Sequence, residues 1–121
     1  MPKTFDAATL ATLHGSREVR IRTGRTKSGG VVIWIVVADG AVFVRSVRGS
    51  SGKWFIAAKR DGEAVLEVGG REFPVQVAPV TDEPTIDAVS HAYLTKYATS
   101  PYAQSMVRAD ALPTTLRLDP A

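Results

Sequence analysis

Cysteine is absent from the 121-residue chain, so disulfides and thiolate metal centres are excluded. Histidine occurs only at positions 14 and 91, far apart in sequence, which leaves too few nitrogen ligands for a zinc site. No Gly-x-Ser-x-Gly turn is present, and acyl transfer on a nucleophile elbow is rejected. Apolar runs fall well short of the roughly 20 residues that span a membrane. The first residues also lack the charged-then-apolar order of a signal peptide. A cytoplasmic protein is therefore expected. Aromatic residues are scarce at 7%, and those near the basic stretches fall mostly on inward strand positions. A stacking platform for nucleic acid is not expected there.

What is present fits one soluble domain. Hydrophobic residues make up 45% and charged residues 22%, a globular balance, and a chain of this length buries one core. Its net charge of +3 is unevenly spread. Arg17 to Arg60 holds ten Lys/Arg and two acids, a balance of +8, whereas Asp61 to Ala121 holds four and nine, a balance of −5. Such asymmetry points to one face built for an anion.

Local patterning gives mainly β structure with peripheral helices, divided into an N-terminal helix (1–16), a barrel core (17–80), and C-terminal helices with a last strand (81–121). Asp6 is placed to cap the first helix, with Phe5 and Leu10 forming a hydrophobic staple. Val19, Ile21 and Thr23 alternate with Glu18, Arg20 and Arg22 as a half-buried strand. Val31 to Val37 is apolar on both faces and predicts one central strand, covered either by a second copy of the chain or by a helix. Asp39-Gly40 and Gly69-Gly70 are hairpin turns that need positive φ. Pro74 and Pro79 predict that the strand over 71–80 lies at an edge or carries a bulge. Asp82 caps a helix with Pro84 in its first turn, a second short helix follows Ser100-Pro101, and Thr114 to Leu118 is the last strand. Six antiparallel strands joined by hairpins favour closure into a barrel, which removes exposed edges.

The stretch Arg45-Ser-Val-Arg-Gly-Ser-Ser-Gly-Lys53-Trp54 follows a strand and opens a short helix predicted over 51–60 with Ser51 as N-cap. Free amides at a helix N-terminus attract anions. Arg45, Ser46, Arg48, Ser50, Ser51 and Lys53 are thus candidate phosphate contacts, with Lys27 from the preceding glycine-basic loop. Ser51 equally serves as a plain cap, and Arg45 points either into the barrel mouth or across a dimer interface. Trp34 and Trp54 read first as packing residues, although Trp54 could stack on a ring. No side chain is obliged to act as acid or base, so no catalytic residue is assigned.

In this order, three places resemble the FMN-binding split-barrel superfamily, the fold of pyridoxamine phosphate oxidases and deazaflavin-dependent nitroreductases. Thr23 to Gly29 resembles the glycine-basic loop of the deazaflavin group. Phe43-Val-Arg-Ser46 with Ser50, Ser51 and Lys53 resembles the stretch that holds the FMN phosphate. Gly52-Lys-Trp54 with Leu66 to Arg71 resembles the helix and following hairpin of both groups. The Val44-Arg-Ser-Val-Arg-Gly49 and Gly52-Lys-Trp54 signatures are most similar to a bacterial split-barrel family of unknown function. The resemblance implies a homodimeric split barrel binding FMN or a 5-deazaflavin coenzyme. Any reaction would be hydride transfer to a small organic acceptor, in a pocket lined from the C-terminal region where Tyr93, Tyr97 and Tyr102 lie. The oxidase pattern also places an Arg and a Lys on the strand before the hairpin, and Val31–Val37 carries neither. That departure supports an alternative: a non-enzymatic dimeric module that has lost the flavin site and binds another anionic small molecule or serves as a scaffold.

Overall fold

The computed structural model describes residues 4–23 and 30–121. The glycine-basic loop, Lys27 included, lies outside the described residues. Helix α1 (Ala7–Gly15) starts where expected, with the Asp6 carboxylate accepting from Thr9 N at 2.7 Å. Strands β1 (Val19–Arg22), β2 (Val31–Ile33), β3 (Ile35–Ala38) and β4 (Ala41–Val44) follow, then α2 (Lys53–Asp61) and the hairpin β5 (Glu63–Val68) to β6 (Arg71–Pro79). Helix α3 (Glu83–Lys96), capped by Asp82, precedes two short 3-10 turns and β7 (Leu116–Pro120).

The strands form one antiparallel sheet in the order β2-β1-β5-β6-β7-β4-β3. Its two outermost strands, β2 and β3, are successive pieces of a single apolar run with only Trp34 between them. The first piece pairs with β1 (Val19 opposite Ile33) and the second with β4 (Ile35 opposite Val44). One run therefore serves both ends of the sheet and curls it into a nearly closed barrel, split at Trp34.

The single strand expected over 31–37 is thus two strands, which raises the count from six to seven. The backbone groups freed at the break are met by α3. Trp34 O accepts from the Tyr93 hydroxyl at 3.1 Å. Ile35 N donates to the Tyr97 hydroxyl at 3.2 Å, and Ile35 O accepts from Lys96 Nζ at 2.7 Å. Buried polar backbone must be paired, so these side chains permit the break.

Two apolar clusters flank the sheet. The barrel interior holds Ile21, Ile35, Val44, Leu66, Val75 and Leu118 among others, plugged by Phe55 and Ala58 of α2. Outside it, α3 lays Val89, Tyr93 and Tyr97 over Val36 and Phe43. Both faces of β3 are covered as its sequence requires, the outer one by a helix. Val31 and Val32 of β2 are instead 45% and 48% exposed.

Four further expectations need correction. Strand β6 is neither an edge nor bulged, because β5 and β7 flank it in unbroken register. Pro74 is accommodated because β7 reaches only to Pro120 opposite Val75, after which Ala121 N donates to Pro74 O. Ser51 does not cap α2: it ends a 3-10 turn (Gly49–Ser51) and Gly52 is the N-cap. The region after Ser100 forms only a 3-10 turn, Ala103–Val107, and the final strand begins at Leu116 because Thr114 closes another such turn.

Candidate functional site

A cleft of about 580 Å3 opens at the barrel split. Its walls are β2 with Trp34, the segment from Arg45 to Trp54, and the turn from Tyr102 to Met106, with Glu18 at its border. Of the residues singled out in the sequence, Arg45, Ser46, Arg48, Lys53 and Trp54 line this cleft. Ser50 and Ser51 are exposed and do not line it, and the Ser51 hydroxyl donates to Arg48 O at 3.0 Å.

Arg45 is 1% exposed and committed to the protein. Its Nε donates to Thr115 Oγ1 at 2.8 Å. One terminal nitrogen reaches Ser90 Oγ at 2.8 Å and Met106 O at 3.0 Å, and the other reaches Ile86 O at 2.8 Å. Four of its donors thus bind α3, the Ala103–Val107 turn and the approach to β7. Burial lowers its pKa, against the opposing pull of Tyr93 and Asp87. Among the described residues no carboxylate bonds to it, so it leaves a positive charge behind the cleft wall.

Ser46 is the unusual residue. It is 1% exposed, its amide donates to Thr114 Oγ1 at 2.9 Å, and its own hydroxyl has no partner among the described residues. A Cβ built on Gly52 would stand 2.4 Å from that oxygen, so only glycine lets the helix start pack this closely against the hydroxyl. Gly52 is also the N-cap of α2 and supplies no side chain to the helix start. The amides of Lys53, Trp54 and Phe55 lie in the first helical turn, where no intrahelical acceptor exists. An unpaired buried hydroxyl thus lies against the glycine N-cap of a helix whose first amides have no intrahelical acceptor.

The surrounding loop is held by hydrogen bonds of its own. Gly49 N donates to Ser46 O at 3.0 Å, and Gly52 N to Gly49 O at 3.2 Å. Gly49 has φ 69°, and a Cβ there would be 3.2 Å from Asp110 O. Arg108 fixes the same loop by donating to Val47 O at 2.8 Å. Among the described residues neither Arg48 nor Lys53 makes an ion pair. Both are exposed at the cleft and carry charge not neutralised by those residues.

Both tryptophans pack and line the cleft. The Trp34 ring lies parallel to Tyr97, with centroids 4.0 Å and planes 2° apart. Trp54 leans on the barrel interior and meets Phe55 edge-on. Tyr102 is exposed in the cleft wall. Tyr93 and Tyr97 are fully buried, and burial raises both phenols, that of Tyr97 to about 12. A second groove, between α1, β3 and α3, brings His14 and His91 onto one surface with Lys96. Among the described residues no three His, Asp or Glu side chains gather to hold a metal ion, and no helix is long and apolar enough to cross a membrane.

A family model described as "Uncharacterized protein conserved in bacteria (DUF2255)" matches residues 9–118. The chain belongs to that family. No curated protein sequence matches it. Among solved structures it is similar to the conserved hypothetical protein Rv2991 from Mycobacterium tuberculosis, with TM-score 0.67 at 14% identity, covering 99% of this chain and 81% of that one. An F420-H2 dependent reductase, FDR-A, superposes with TM-score 0.62 at 18% identity over 84% of this chain and 93% of its own. A FAD-binding protein from Mesorhizobium loti gives TM-score 0.55 at 13% identity over 99% and 91%. These identities speak for the fold alone, a split barrel. The family's shared segment includes every cleft-lining residue, since Glu18 and Met106 both fall within 9–118.

The residues missed at the sequence level are Glu18, Gly52 and the β2 valines. Gly52 had a legible signal, a glycine immediately before a helix. Glu18 read as ordinary alternation and the valines as part of one doubly apolar strand, and only barrel closure brings them to the cleft.

Proposed function

We propose that the chain binds a phosphate-bearing flavin-type cofactor, FMN or a 5-deazaflavin coenzyme, in the cleft at the barrel split. The observation that carries this reading is the unpartnered Ser46 hydroxyl facing Gly52 at the uncapped start of α2. A buried hydroxyl without a partner costs about 1–3 kcal/mol, and a phosphate oxygen would relieve that cost. Lys53 and Arg48 add charge at the mouth, and the buried Arg45 guanidinium adds field from behind the wall. Arg45 thus supports the site through position rather than contact. Trp34, Trp54, Tyr102 and Met106, with Val31 and Val32, offer apolar surface for a flat ring.

When bound, such a ring supplies hydride chemistry, and transfer to a small organic acceptor is the reaction this reading implies. The chain's part is to anchor the phosphate, orient the ring against Trp34 and Trp54, and exclude water. The exposed rim of Val31, Val32, Val47 and Tyr102 suits a second copy of the chain, whose approach would close the cleft.

One observation favours a second reading, a dimeric module without flavin chemistry that holds another anionic small molecule. The run from Val31 to Ala38 bears no cation and Arg45 is internally engaged, so only Arg48 and Lys53 directly face a phosphate among the described residues. Titration with FMN, followed by quenching of Trp34 and Trp54 fluorescence, separates the two. Saturable quenching supports the cofactor reading. No quenching by FMN or a deazaflavin, with inorganic phosphate still binding, favours the module.

A further inference from the structure

The cleft has two polar ends, and only one is accounted for by a phosphate. Three cations, Arg45, Arg48 and Lys53, belong to the Arg45–Trp54 wall, whereas Glu18 is the one acid that lines the cleft among the described residues. Register explains its place. Val19 lies opposite Ile33 in the β1–β2 ladder, and continuing by one residue sets Glu18 opposite Trp34. In the β3–β4 ladder Ile35 lies opposite Val44, and the same step sets Arg45 opposite Trp34. The barrel split is therefore bordered by a carboxylate on one side and by the anion-binding segment on the other.

Glu18 makes no ion pair or hydrogen bond among the described residues. Its neighbour Arg17 is turned to the Tyr97 ring, with the guanidinium carbon 5.4 Å from the centroid. Glu18 contributes to the upward shift of the Tyr97 phenol, which agrees with its position beside the Trp34–Tyr97 stack. An ionised carboxylate only accepts hydrogen bonds, so its complement is a donor on the ligand.

We infer that Glu18 is a second recognition point, accepting an N–H from the edge of a heteroaromatic ring whose phosphate tail rests at α2. This rests on the cofactor reading above and narrows it to ligands with a ring N–H remote from the phosphate. A carboxylate there also disfavours extra negative charge on the ring, so it holds the ring's reduction potential down.

The test uses FMN and its N3-methylated analogue as probes, with the unaltered protein, Glu18→Ala and Glu18→Gln. Glu18→Ala is expected to weaken FMN about 5- to 10-fold, the loss of one charge-assisted bond at an exposed border. Glu18→Gln, which keeps an acceptor, should weaken it less. N3-methylation should weaken binding to the unaltered protein by a similar factor and leave Glu18→Ala indifferent to the methyl group. The bound-flavin potential should rise in both variants. FMN affinity indifferent both to the methyl group and to Glu18→Ala overturns this inference and leaves the phosphate reading intact. Failure of the unaltered protein to bind FMN at all overturns the cofactor reading, and this inference with it.

Discussion

Ser46 and Arg45 are adjacent, both are buried, and the sequence offers no way to tell their roles apart. Arg45 finds partners 41 to 70 positions away, so its engagement is a tertiary fact invisible to local patterning. Ser46 has a hydroxyl that nothing in the described protein satisfies. Opposite signs follow for the two substitutions. Ser46→Ala removes an unpaired buried group and should leave thermal stability unchanged or raise it by up to about 1 kcal/mol, while weakening FMN binding. Arg45→Met takes a donor from two carbonyls and two hydroxyls and should cost about 1–3 kcal/mol or more, read as a lowered denaturation midpoint. Gly52→Ala should resemble Ser46→Ala in binding, because its methyl group would collide with the hydroxyl and displace it. The phosphate-like character of this stretch was legible in its glycines, serines and lysine. Which of them turn inward was not, and Ser50 and Ser51 point elsewhere.

At the scale of elements, α3 and the broken strand explain one another. The apolar run from Val31 carries no glycine or proline at Trp34, so nothing local marks the break. It becomes visible only through Tyr93, Tyr97 and Lys96, about sixty residues later. By contrast, the starts of α1 and α3 were legible, because Asp6 with Thr9 and Asp82 with Thr85 are contacts three residues apart. Lys96 gives this junction a pH dependence. Burial, with Arg17 nearby, lowers its ammonium to about 8 from 10.5. Between those values the unfolded chain holds a proton that the folded chain has released, so stability should rise with pH across that window. Tyr97 acts in the other direction: raised to about 12 from 10.0, its contribution is present below pH 10 and lost as pH climbs toward 12. Denaturant midpoints measured from pH 7 to 11 should therefore rise and then fall, and Lys96→Met should remove the rise. A midpoint flat from 8 to 10 in the unaltered protein contradicts the assignment.

Across the whole molecule, the barrel was readable from hairpin turns and alternation, whereas its closure was not. Closure gathers Val31, Val32, Val47 and Tyr102, from three separate segments, around one opening. That rim belongs to a second copy in the account given above. Light scattering at micromolar concentration should return twice the chain mass, and Val32→Asp should return a monomer with an unchanged circular-dichroism spectrum. A monomeric unaltered protein removes the shared pocket while leaving the phosphate cradle in place.

The most direct measurement compares FMN with riboflavin, which differ only by the phosphate, in the unaltered protein and in Lys53→Ala, read by tryptophan quenching. FMN should bind the unaltered protein about tenfold or more tighter than riboflavin, as a charge-assisted bond requires, and Lys53→Ala should shrink that advantage. Equal affinity for the two flavins, or an advantage untouched by the substitution, contradicts a phosphate seat at the start of α2.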